Sequence, residues 1–176
     1  MRQDRLVEDV REVTRTYGGD RALVVGYSLG GSLSLLACAD GLQAARLVVG
    51  GLPTAVLEWT PADAAQCQSL ALALRKSPDA DPAMQGVVQF FEMIDASLPN
   101  LAALMDDHHP TVTNWNAVTM PVTVVAGLDD TTAADPAQVV ARLAHAQAQR
   151  VPGDHITAPG SAAFIDLLVA EAVACG

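Results

Sequence analysis

The chain has 176 residues, of which 51% are hydrophobic, and its 10 Lys+Arg face 20 Asp+Glu for a net charge of -10. A domain of this size buries roughly 70% of the surface its unfolded chain exposes, so one core is expected. The surplus of carboxylates repels a phosphate backbone and argues against a nucleic-acid partner. No apolar run approaches the ~18 residues that span a bilayer. The charged start, Met1-Arg2-Gln3-Asp4-Arg5, has no signal-peptide core, so the expectation is a cytoplasmic chain without membrane contact.

In chain order, residues 4–17 carry Leu6, Val7, Val10, Val13 and Tyr17 at helical spacing, and Gly18-Gly19 stops the pattern. "RALVVG" then reads as a short strand buried on both faces, and "LGGSLSLLACAD" as the helix after it. "ARLVVGGLP" (45–53) is a second strand. Thr60-Pro61-Ala62-Asp63 has the residues of an N-cap and first turn and opens a helix to about Lys76. Asp81-Pro82 opens another helix, and "LPNLAALMDD" gives a third. These helices make residues 54–116 an insertion, a small cap over the strand ends with Phe90, Phe91, Met93 and Ile94 in its core and Trp59 and Trp115 as packing residues. "PVTVVAGLDD" (121–130) is the third strand, and a weaker fourth lies around Ala148 to Val151. Uniformly apolar strands alternating with helices predict an α/β fold, a parallel sheet of about four strands with helices on both faces, built from residues 1–53 and 117–176.

The stretch "VVGYSLGGS" (24–32) sets Ser28 in G-x-S-x-G between a strand and a helix. In that context the turn exposes a hydroxyl and the flanking glycines relieve crowding, whereas the pattern alone fits a turn or capping serine equally well. A serine hydroxyl needs a base to take its proton, and the base needs a third group to orient it. The third strand delivers Asp129 and Asp130 at its C-terminal end, where parallel sheets gather functional groups. Asp130 is the first choice for the acid, with Asp129 the main alternative and Asp135 another. His155, on the loop "VPGDHITAP", supplies the base. Tyr27 and Leu29 flank the serine and are expected to line the pocket. His108 and His109 are adjacent and point different ways beside Asp106-Asp107, which suits a solvated helix end better than a metal site. Cys38, Cys67 and Cys175 are odd in number and outside any C-x-x-C pattern, so they form neither a disulfide framework nor a zinc site.

With serine, aspartate and histidine in that order, the chain resembles the C-terminal two-thirds or so of a bacterial esterase-like protein of the α/β-hydrolase family. "DVREVTRTYGGDRALVVGYSLGGSLSLLAC" resembles the nucleophile strand with its neighbouring helices, "MPVTVVAGLDD" the acid strand, and "VPGDHITAP" the histidine loop. The family's Gly-x-x-Asp acid motif falls on Asp130. The resemblance implies a serine hydrolase acting on a small carboxylic ester, and the hydrophobic helices at 61–107 suggest that the bound group is partly apolar. Ser28 would attack, His155 would carry the proton, Asp130 would orient the imidazole, and the Leu29 N–H would donate to the oxyanion, with no metal or organic cofactor.

One departure from the family bears on function. The second oxyanion donor normally comes from a loop well before the nucleophile, and here only a helix precedes "ALVVG". Strand 22–26 is therefore expected to be an apolar sheet edge open to self-association, with N-terminal truncation favoured over a covering partner. The alternatives to the esterase reading are a truncated or non-catalytic homologue acting through that edge, and cofactor-free perhydrolysis or C–C bond cleavage on the same residues.

Overall fold

A computed structural model describes residues 2–176. The chain divides into two compact units. One comprises Val7–Glu58 and Pro110–Gly176, and the other Trp59–His109 together with the residues up to Leu6.

The larger unit is organised by a four-stranded, fully parallel sheet in the order β1-β2-β3-β4. Its strands are β1 (Leu23–Tyr27), β2 (Arg46–Gly50), β3 (Val122–Gly127) and β4 (Ala146–Val151). The register pairs Val25 with Val48, Val49 with Val124, and Val124 with Ala148. Consecutive residues of β2 and β3 are buried, as their valine-rich, largely apolar runs require in a sheet covered on both faces. The two edge strands differ from this pattern. β1 leaves Val25 42% exposed, although its sequence reads as a strand buried on both faces; among the described residues it stands at the end of the sheet, paired with β2. β4 begins at Ala146, a little earlier than its sequence suggests, and only Val151 is buried among its alternating small and polar residues.

Four helices accompany the sheet: α1 (Gln3–Tyr17), α2 (Leu29–Ala39), α6 (Pro136–Val140) and α7 (Ala162–Val173). α2 packs on β1 and β2, and most of its side chains are small or aliphatic and buried. α7 contributes Phe164 to a cluster with Val48, Val125, Val151 and Ala158, against which Leu23, Tyr27, Leu167 and Leu168 pack. α1 forms where its periodicity places it, but of its apolar stripe only Val7 is buried, and Val13 and Tyr17 stay exposed.

The smaller unit holds α3 (Pro61–Leu74), α4 (Gln85–Met93) and α5 (Leu98–Met105). Thr60 and Asp63 close a reciprocal capping box at the start of α3, with Asp63 N donating to Thr60 Oγ1 (3.3 Å) and Thr60 N to Asp63 Oδ2 (2.8 Å). Ala71, Ala73, Leu74, Ala102 and Leu104 form its buried centre. Arg75 pairs with Asp106, and Lys76 with Glu92 at 2.7 Å. α4 has no buried residue. Phe90 and Phe91 pack edge to face at 5.6 Å while Met93 and Ile94 stay exposed, so Met93 and Ile94 are not core residues as their helical spacing suggests. His109 stacks on Trp59 (4.5 Å), and the Gln3 side-chain amide both donates to and accepts from the His109 backbone at 2.9 Å.

This unit is shorter at both ends than the 54–116 span of the insertion. The flanking segments are pinned to each other inside the larger unit, where Val112 N donates to Val56 O (3.0 Å) and Thr111 Oγ1 to Ala55 O (2.8 Å). No helix among the described residues is long and apolar enough to cross a membrane.

Candidate active site

Three strand ends of the larger unit converge here. β1 stops at Tyr27 and α2 starts at Leu29, so Ser28 alone makes the turn, at φ 52° and ψ -118°. A non-glycine residue held there carries strain of about 1–3 kcal/mol, which persists only where the surroundings over-determine it. Here Ser28 N donates to Gly50 O (2.8 Å), and Ser28 O accepts from Ser32 N (3.0 Å) and Ser32 Oγ (3.3 Å). A Cβ on Gly26 would lie 2.3 Å from Gly30 O, so the turn needs glycine at that position. Gly30 itself has open space around its α-carbon. Only the first glycine of the motif relieves crowding, where both were expected to. As the first residue of α2, Leu29 presents an N–H with no acceptor within the helix, at the positive end of the helix dipole.

The loops after β3 and β4 are stitched edge to edge. Leu128 N donates to Val151 O (2.8 Å) and Asp129 N to Gly153 O (3.1 Å). The approach is so close that a Cβ on Gly127 would lie 2.3 Å from Gly153 O. This brings the acid and the histidine together. His155 Nδ1 lies 2.8 Å from Asp130 Oδ2, and His155 Nε2 lies 2.9 Å from Ser28 Oγ. The Asp130 side chain is fully shielded from solvent, while that of His155 is 28% exposed. Asp135 is engaged elsewhere, capping α6 through Ala137 N and pairing with Arg150 at 3.1 Å. Asp129 is exposed and joins the histidine loop through its backbone N–H. Of the three candidate acids, Asp130 is the one bonded to the imidazole.

Two local turns hold these side chains. Asp130 Oδ1 accepts from Thr132 N (2.9 Å), Ala133 N (3.0 Å) and Thr132 Oγ1 (2.7 Å), and Thr132 Oγ1 also lies 3.1 Å from His155 Nδ1. Asp154 Oδ1 accepts from Ile156 N (3.0 Å), Thr157 N (2.8 Å) and Thr157 Oγ1 (2.7 Å), which fixes the loop around His155. Burial pushes the Asp130 carboxyl up, but the hydrogen bonds from the Thr132 hydroxyl, His155 and the two backbone N–H groups outweigh it, and the group is held below the ordinary carboxylate value.

Tyr27, expected at the pocket wall, sends its ring into a slot floored by Gly50 and Gly51. Added Cβ atoms there would lie 2.5 and 2.6 Å from the ring. Gly51 also has φ 58°, and its Cβ would come within 3.0 Å of His155 Cε1. The ring meets His155 at 5.5 Å and the edge of Phe164 at 5.9 Å, and so backs the imidazole. Burial, with the Asp130 and Asp154 carboxylates, pushes the Tyr27 hydroxyl up to about 12. Thr132, Gly51 and the Asp154–Thr157 turn escaped the reading of the sequence. The signals were present, as an Asp-x-Thr after a strand and a Gly-Gly after a strand, but both patterns are common in loops.

No family model matches the chain, and no curated protein matches it. Solved structures do. A hydrolase from Pseudomonas aeruginosa is similar over 98% of this chain and 72% of its own, with TM-score 0.73 and 21% identity. The chain has the α/β-hydrolase fold. A thermophilic esterase from Thermogutta terrifontis is similar over 97% of this chain and 71% of its own (TM-score 0.72, 13% identity). An α/β-hydrolase from Sphaerobacter thermophilus is similar over 97% and 74% (TM-score 0.64, 23% identity). In α/β-hydrolase terms Ser28 occupies the strand-to-helix elbow, with Asp130 and His155 following later strands. Among the described residues, no group of three or more His, Cys, Asp or Glu side chains is placed to hold a metal ion.

Proposed function

We propose that the protein is a serine hydrolase that cleaves a small, partly apolar carboxylic ester through an acyl-serine intermediate. The observation that carries this reading is the continuous chain of hydrogen bonds from Ser28 Oγ through the two nitrogens of His155 to Asp130.

Asp130 Oδ2, an acceptor, keeps the proton on Nδ1 and leaves the Nε2 lone pair facing Ser28. Ser28 Oγ attacks the acyl carbon as its proton passes to Nε2, and the carbonyl π electrons move onto oxygen. The Leu29 N–H donates to that oxyanion. Collapse breaks the ester C–O bond, and the imidazolium returns its proton to the leaving alkoxide. Water then repeats the sequence on the acyl-serine, with His155 as base, and releases the acid. Leu128 and Ile156, on the loops that carry Asp130 and His155, are 61% and 58% exposed, which supports a partly apolar substrate. Tyr27, expected to bind substrate, enters this reading as a support for the imidazole, which its ring meets at 5.5 Å.

A panel of p-nitrophenyl esters from acetate to dodecanoate tests the reading. Turnover of short to medium acyl chains, lost in Ser28→Ala, is the expected result. Hydrolysis that survives Ser28→Ala, or none by the folded protein on any ester, thioester or lactone tried, would contradict it.

A further inference from the structure

The Thr132 hydroxyl touches both partners of the acid–base pair, at 2.7 Å from Asp130 Oδ1 and 3.1 Å from His155 Nδ1. A hydroxyl has one proton and two lone pairs, and ionised Asp130 can only accept, so the Thr132 proton points at Oδ1. His155 Nδ1 carries the proton it gives to Asp130 Oδ2 at 2.8 Å, so a Thr132 lone pair faces that same N–H. Thr132 therefore donates to the acid and accepts from the base at once.

The geometry has a mechanical consequence. Rotation of the Asp130 carboxylate would carry Oδ2 away from the imidazole. Three donors on Oδ1 oppose that rotation, two of them from Thr132. Only the hydroxyl also reaches the ring. Thr132 itself is exposed, so a side chain of equal shape can replace it without opening a cavity in the core. Backbone donors at 132 and 133 remain whatever the side chain.

Resting on the serine-hydrolase reading, we propose that Thr132 is a positioning residue that holds the Asp130 carboxylate and the His155 Nδ1 proton in register, and that full catalytic rate requires a hydroxyl at this position. The contrary view is that the side chain only shapes its own turn, with the backbone donors sufficient to hold the acid.

The test compares wild type with Thr132→Val, which keeps the shape and loses the hydroxyl, and Thr132→Ser, which keeps the hydroxyl. On the best ester of the panel, Thr132→Val should lose about tenfold in kcat, the scale of one charge-assisted hydrogen bond, with KM within about twofold. Thr132→Ser should return to within about twofold of wild type. Equal kcat in all three proteins, or equal impairment of the valine and serine variants, would overturn the proposal. The low-field NMR resonance of the His155 Nδ1 proton gives a readout that needs no turnover. It should broaden or vanish in Thr132→Val and persist in Thr132→Ser. If the wild type turns over no ester, the hydrolase reading fails, and the resonance then decides the positioning role by itself: unchanged in all three proteins, it overturns that role.

Discussion

Two clusters of polar side chains sit at opposite ends of the same sheet. At the N-terminal ends of the strands, Glu171 of α7 is only 6% exposed and receives hydrogen bonds from Arg46 of β2, Thr123 of β3 and Gln147 of β4. Gln147 also donates to Thr123 Oγ1 at 3.1 Å, and the cluster closes on itself along regular backbone. At the C-terminal ends, Asp130 is just as well satisfied, but the chain it anchors ends on a part-exposed imidazole and a serine at φ 52°. A buried carboxylate with hydrogen bonds fastens the sheet in one place and orients an imidazole in the other. The difference lies in the last group: the Glu171 cluster spends its acceptors inward, whereas the Asp130 cluster leaves an Oγ and an Nε2 facing each other at a strained turn. Such strain is maintained at functional sites by rigid surroundings.

Substitutions can break this contrast from either end. The largest effect is expected at Ser28. Ser28→Ala should lower kcat by at least about a thousandfold. Ser28→Gly should lose as much activity yet gain about 1 kcal/mol of stability, because glycine adopts positive φ without strain. Calorimetry on the pair checks this, and a lower Tm for Ser28→Gly would show that the turn is not strained.

The opposite pattern is expected at the other end. Glu171→Ala leaves Arg46 and Thr123 without their acceptor and should cost about 2–3 kcal/mol in urea unfolding, with kcat per folded molecule unchanged. The figure sits below that for a fully buried pair because the Arg46 side chain is 25% exposed.

Acid separates the two states of these carboxylates. Burial pushes Glu171 up, but hydrogen bonds from Thr123, Arg46 and Gln147 with the charge of Arg46 outweigh it, so Glu171, like Asp130, is held below its ordinary value. A carboxyl lowered in the folded state contributes stability above its unfolded value, near 4, and that contribution is lost as pH falls through the lower folded value. The stability difference between wild type and Glu171→Gln should therefore shrink between pH 7 and pH 3 in parallel urea titrations. A difference that does not change with pH would remove Glu171 from the ionised network.

The smallest effect is expected at Tyr27. Its hydroxyl is buried without a hydrogen-bond partner among the described residues, so what the site uses is the ring. Tyr27→Phe should leave kcat/KM within about twofold and stability within about 1 kcal/mol of wild type. A larger loss in the ester assay would give the hydroxyl a role in binding substrate.

How much of this was legible in the sequence follows from which forces act locally. β2 and β3 announce themselves because runs such as Leu47-Val48-Val49 and Val122 to Ala126 are stable only between two covering layers. Ser28, Asp130 and His155 could be ordered because each follows a strand, and parallel strands deliver their C-terminal ends to one side of a sheet. Burial was less legible than periodicity. The spacing in α1 and α4 specifies a helix but not what covers it, and Val13, Met93 and Ile94 remain exposed. Glu171 was missed for the converse reason, since a charge in an apolar helix reads as a surface residue until its partners from three strands are seen. Thr132 has Thr131 as its neighbour, and only the path of the loop decides which hydroxyl reaches the acid.

The central claim, that Ser28 is a nucleophile activated by His155, is tested most directly by treating the folded protein with a fluorophosphonate and mapping the adduct by mass spectrometry. A single adduct on Ser28 is expected, absent from Ser28→Ala and formed at least about a hundredfold more slowly in His155→Ala. An unlabelled Ser28 in folded wild-type protein, or labelling at an unchanged rate without His155, would contradict it.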